Sequence, residues 1–64
     1  MMEKYAFDLK AEDRIIDRHT GEVIVIDLIT IDEETERVIV EAHTDEHGDP
    51  WDKVLDPNAQ VKVV

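Results

Sequence analysis

Glu22 is followed by Val23-Ile24-Val25-Ile26-Asp27-Leu28-Ile29-Thr30-Ile31, a run that is apolar on both sides of an extended chain. Side chains alternate across a strand, so Val23, Val25, Ile29 and Ile31 fall on one side and Ile24, Ile26 and Leu28 on the other. A helix is disfavoured, because β-branched side chains crowd the preceding helical turn and fit a pleated surface better. A flat sheet with one wet face does not call for such a run. A strand that bends, and so buries opposite faces along its two halves, does; so does a strand at a dimer interface. Asp27 stands mid-run, where a bend or bulge is expected.

The neighbouring segments extend the β reading. Tyr5, Phe7 and Leu9 alternate with Ala6, Asp8 and Lys10, which predicts a strand with the two aromatics in the core. A single helical turn, with Met2, Tyr5, Ala6 and Leu9 on one face, is the alternative. Gly21 closes Asp17-Arg18-His19-Thr20-Gly21 as a hairpin turn. Asp32-Glu33-Glu34-Thr35 is too charged to bury and separates the long strand from Glu36–Ala42, where Val38, Val40 and Ala42 point inward and Arg37, Ile39 and Glu41 outward. His43 to Pro50 is the longest loop. Trp51, Lys53 and Leu55 share one side of the strand that follows, and Asp56-Pro57-Asn58-Ala59 predicts a tight 3₁₀ turn before a last strand, Gln60–Val64.

These strands compose one domain, residues 1–64. Eight Val and seven Ile within 42% hydrophobic residues supply a core despite a formal charge of −10. With no Cys there is no disulfide framework or thiolate zinc cluster, so stability rests on packing or oligomerisation. A domain this small has little room for a substrate pocket of about 300 Å³ or more, so an enzyme is not expected and no cofactor is implied. The N-terminal residues lack the apolar run of a signal peptide, and no segment approaches the ~20 apolar residues of a membrane span; a cytoplasmic location is expected.

A few short strands, a bent long strand, and a tight turn before a short last strand resemble the SH3-like small β-barrel. Leu9-Lys10-Ala11-Glu12-Asp13-Arg14-Ile15 looks like the opening L-K-x-G-D-R-I of many such barrels, and Val54-Leu55-Asp56-Pro57 like their 3₁₀ exit. Glu12 stands where those barrels commonly carry Gly. The resemblance implies an all-β barrel of about five strands with a 3₁₀ turn before the last. The chain also resembles small acidic proteins of actinobacteria and their phages. Neither likeness carries a function across, because SH3-like barrels bind peptides, nucleic acids and other subunits through their loops. Trp51 is the one aromatic left as a surface anchor if Tyr5 and Phe7 are buried, which argues against a proline-rich groove; its plainer role is core or lid.

Two site hypotheses remain. His43 and His47, with Asp45, Glu46 and Asp49 between and beside them, supply ligand types for Zn²⁺ or Ni²⁺, but in a loop holding Gly48 and Pro50 the i and i+4 positions need not converge. Seventeen Asp and Glu against seven Lys and Arg give a surface whose charge density is of the order of B-DNA's one charge per ~1.7 Å. Such a surface disfavours nucleic acid and anionic membrane and suits a basic protein partner, with Asp32, Glu33, Glu34, Asp45, Glu46, Asp49 and Trp51 as contact residues. A phage-encoded, DNA-mimicking modulator of a basic host or regulatory protein is the sharpest form of this expectation. The bland reading of the same acids is a solubilising surface. The alternative function is a structural subunit that assembles with itself or within a larger complex through Ile39, Val64 and the second face of residues 23–31.

Overall fold

The computed structural model describes residues 2–64, which form six strands: β1 (Met2–Tyr5), β2 (Arg14–Ile16), β3 (Val23–Asp32), β4 (Arg37–Thr44), β5 (Pro50–Leu55) and β6 (Gln60–Val63). All pair antiparallel in one sheet of order β1-β6-β2-β3-β4-β5. The fold is all-β. It departs from the expected closed five-stranded barrel: there are six strands, and the sheet is open, with β1 and β5 as its edges. No helix among the described residues is long and apolar enough to cross a membrane.

The long strand resolves its two-faced pattern by a bulge at the expected place. Ile26 pairs with Ala42 and Leu28 with Glu41, which leaves Asp27 without a partner and advances β3 by one residue. An extra residue reverses which parity points inward. Ile24 and Ile26 therefore face the core before the bulge, opposite Thr44 and Ala42, and Ile29 and Ile31 lie on that same side after it, opposite Val40 and Val38. Leu28, grouped by simple alternation with Ile24 and Ile26, is turned outward and is about half exposed.

The inner face packs Ile15, Ile24, Ile26, Val38, Val40, Ala42 and Val63, with Ile29, Trp51, Leu55, Ala59 and Val61 partly buried around them. Each fully buried Val or Ile contributes about 1.5–3 kcal/mol relative to exposure. Ala6 and Leu9 complete the core from a 3₁₀ turn at Ala6–Asp8. That turn docks on the β5–β6 connection, where the Ala6 N–H donates to the Ala59 carbonyl at 2.8 Å and the Phe7 N–H to Pro57 at 3.2 Å.

The 3₁₀ turn overturns the expected strand over residues 5–10. Once the backbone coils at Ala6, the residues three apart, Ala6 and Leu9, face inward, and Tyr5 and Phe7 are turned out. The aromatics stack on each other at 5.7 Å with rings 2° from parallel, each nearly half exposed. The connection at Asp56–Ala59, expected to be 3₁₀, is a tight turn closed by the Ala59 N–H on the Asp56 carbonyl at 3.0 Å. The loop expected from His43 to Pro50 is also shorter: His43 and Thr44 end β4 and Pro50 begins β5.

Backbone conformation explains two sequence features. Gly21 has φ 77°, and its N–H donates to the Asp17 carbonyl at 2.8 Å, closing the β2–β3 hairpin. Glu12 also lies in the left-handed region, at φ 76°. It is held there by its N–H to the Ile26 carbonyl at 2.7 Å, while the Ile26 N–H donates to Asp13 at 2.9 Å.

Candidate functional site

The outer face of β3, β4 and β5 reads as successive cross-strand rows. The β4–β5 register places Ile39 opposite Val54, Glu41 opposite Asp52 and His43 opposite Pro50; across β3–β4, Thr30 meets Ile39, Leu28 meets Glu41 and Val25 meets His43. Leu28 and Val54 are more than half exposed and Ile39 is half-buried between their strands, so an apolar strip crosses the face. Carboxylates border it. Glu41 and Asp52 are direct neighbours, a placement that puts their Cβ atoms about 4.5–5.5 Å apart and is destabilising for like charges.

The cations on this face are engaged elsewhere. Arg14 is 2.7 Å from Asp45, Arg37 is 2.7 Å from Asp56, and the ring of His43 is 2.8 Å from Asp27. Among the described residues, no Lys or Arg lies within 4 Å of Glu41 or Asp52.

The expected contact residues are not one cluster. Asp32, Glu33 and Glu34 occupy the β3–β4 turn, where Asp32 Oδ1 accepts the Glu34 N–H at 3.0 Å; Asp45, Glu46 and Asp49 occupy the β4–β5 turn. These turns lie at opposite ends of β4, whose eight residues span about 24 Å at ~3.4 Å per residue step. The outer face joins them, with Glu41 and Asp52 between. Those two middle acids were not among the expected contacts; their signal was the outward parity of Glu41 beside Ile39.

His43 and His47 are not brought together. His43 sits on β4 against Asp27, and His47 sits in the following turn with Glu46 at 3.8 Å. No group of three His, Asp or Glu with metal-site geometry occurs among the described residues.

Trp51 lies on the inner side of β5, half-buried, with its ring against the core. Its indole Nε1–H donates to Asp17 Oδ2 at 2.9 Å, and Lys53 Nζ stands 5.7 Å from the ring centroid. This is the lid role, and it removes Trp51 from the acidic face. Asp17 is itself buried at the end of β2, where its other oxygen accepts the His19 N–H at 2.8 Å. The Trp51 hydrogen bond, reinforced by that of His19, holds the Asp17 carboxyl below the usual carboxylate range, against the opposing push of burial. A general acid needs the opposite shift.

Beside Trp51, β5 and the ends of β2 and β6 enclose a groove of about 180 Å³. Its apolar lining includes Ile15, Trp51, Leu55, Ala59 and Val61, and Arg18, His19 and Lys53 stand along it.

No protein-family model, curated protein or solved structure matches this chain.

Proposed function

We propose that this chain is a non-catalytic protein-binding module whose acidic outer face engages a basic partner, with competition against nucleic acid for that partner as the sharpest form. The observation that carries the reading is the Glu41–Asp52 pair beside Leu28, Ile39 and Val54. Directly opposed like charges weaken a sheet, and an apolar strip in water returns nothing to folding, so both features are costs that a bound partner recovers. The face is continuous with the acidic turns at both ends of β4, which gives the long negative track that suits a basic surface. Spread over the 34 Å long axis, ten net charges amount to one per 3.4 Å, half the linear density of a B-DNA duplex at ~1.7 Å. The five strands β2 to β6, with their bulged β3 and the tight turn before β6, support an SH3-like arrangement to which β1 adds a sixth strand.

The test is capture from a lysate at low and high salt, followed by association rates for the captured protein. Charge reversal of Glu41 and Asp52, of Glu33 and Glu34, or of Asp45 and Glu46 to Lys should slow association at least tenfold in one or more doubles and leave the melting temperature nearly unchanged. Unchanged rates in all three doubles would reject the acidic face.

One observation favours the structural-subunit alternative. Met2, Tyr5, Phe7 and Val64 are all exposed, and the first three belong to or adjoin the edge strand β1, with Tyr5 and Phe7 already stacked. Self-association through that edge persists or strengthens in high salt, whereas a charge-driven contact weakens. Sedimentation at low and high salt separates the two.

A further inference from the structure

The lining of the groove beside Trp51 has the opposite sign of formal charge to the chain as a whole. Its lining contains Arg18 and Lys53, one carboxylate, Asp17, and no Glu, a formal +1 within a chain of −10. Neither Arg18 nor Lys53 is within 4 Å of a carboxylate among the described residues, and Lys53 instead lies over the Trp51 ring. Both Asp17 oxygens already accept, from Trp51 and His19, which ties that carboxylate into the wall of the groove. His19, exposed on the same rim, adds a donor.

The backbone around the groove is equally distinctive. Among the described residues β5 pairs with β4 alone, so its other edge carries unpaired N–H and C=O groups. β6 meets β2 at the single rung Ile15–Val63, and the strands part from there, leaving the β2 side of Gln60–Lys62 unpaired. An exposed strand edge is a template for an added strand. The cavity of about 180 Å³ is below the ~300–1,000 Å³ of small-molecule sites and accommodates one apolar side chain.

We propose that this groove is a second binding site, distinct from the acidic face, which takes an extended peptide carrying an apolar side chain flanked by carboxylates. The peptide adds a strand along β5, seats its apolar side chain between Trp51, Leu55 and Val61, and sets its carboxylates against Arg18, Lys53 and His19. Main-chain hydrogen bonds supply affinity and the alternate side chains supply selectivity. The charge choice follows from the site: within a chain of net −10, the groove lining carries a formal +1.

The test uses the intact chain and a dye-labelled peptide that alternates leucine with glutamate, read by fluorescence anisotropy and by amide and indole NMR shifts. A counterpart alternating leucine with lysine is the control, and inorganic phosphate at equal ionic strength is the competitor. The glutamate peptide should shift the Trp51 indole and the β5 amides, and Arg18→Glu with Lys53→Glu should weaken it about tenfold or more. Arg18→Gln with Lys53→Gln repeats the test by removing the charges without reversing them, should the reversal unfold the chain. The proposal fails if the glutamate peptide leaves the β5 amides unmoved, if the glutamine pair binds as wild type does, or if the lysine peptide occupies the groove equally well. Full displacement by phosphate would also overturn it, since that would mean an anion site without strand addition. Reversals on the acidic face leave this binding in place, so the two sites succeed or fail separately.

Discussion

Replacing Asp17 by Ala removes two acceptors at once. The Trp51 indole N–H, 2.9 Å from Oδ2, is left at a half-buried position, and the His19 N–H, 2.8 Å from Oδ1, is left in an exposed turn that water reaches. Hydrogen bonds to a charged group are worth about 1.5–3 kcal/mol each. Water restores much of the second, so the sum is about 3 kcal/mol. That is a large share for a 64-residue chain whose total stability, at roughly 0.05–0.15 kcal/mol per residue, is about 3–10 kcal/mol. At ~4–8 °C per kcal/mol the melting temperature should fall by about 12–24 °C. Asp17→Asn, which keeps one acceptor oxygen and loses the charge, should fall between. The pH dependence carries a sign. The folded carboxyl is depressed below 3.8, so its stabilisation is complete above the unfolded value and is lost as the pH falls through the lower, folded one. The gap between wild type and the Ala variant should therefore be widest at neutral pH and narrow below about pH 4. Urea unfolding followed by Trp51 emission and by circular dichroism measures both. Equal midpoints at pH 7, or a gap that does not narrow in acid, would refute the assignment of Asp17 as the anchor of the lid.

Ile26 is fully buried at the last rung before the bulge, so Ile26→Ala should cost about 2–5 kcal/mol and unfold a large fraction of the chain at 37 °C; a folded variant with an unchanged melt would misplace the core. Glu12 at φ 76° bears the left-handed penalty of about 1–2 kcal/mol for a residue with a Cβ, so Glu12→Gly should raise the melting temperature by several degrees, and a lower melt would show the strain is absent. Gly21 at φ 77° has open space where a Cβ would stand, so Gly21→Ala should destabilise by about 1 kcal/mol through the backbone alone, checked by the same melt.

The β class, the Gly21 turn, the Asp27 bulge and the inward set Val38, Val40 and Ala42 were legible because each is a local matter of alternation or positive φ. What a bulge does beyond its own position is less local. It reverses the parity of everything after it, so Leu28 emerged on the surface and Ile29 replaced it against the core. Tyr5 and Phe7 misled for a related reason: two residues in strand alternation cannot be told from one residue before and one residue inside a single coiled turn, and the turn at Ala6–Asp8 decided their side. The Trp51–Asp17 contact joins residues 34 apart and follows from no spacing, although Ile15 and Asp17 share a parity that points the carboxylate at the core, where it needs a donor. Charge shows the same limit most clearly. A net value of −10 is a sum over the chain, and it predicts one surface of one sign. Folding sorts that sum: Arg14 and Arg37 are consumed by Asp45 and Asp56, which leaves Glu41 and Asp52 without a Lys or Arg partner among the described residues on the outer face, while Arg18 and Lys53, far apart in the chain, meet along one groove whose single carboxylate, Asp17, is bonded to Trp51 and His19. On the two proposals, the acidic face and the cationic groove of this 64-residue domain engage two chemically different partners, and the sheet's open edge at β5 is what lets the second exist. A barrel closed between β5 and β6 would pair that edge, and the cationic groove would vanish with it.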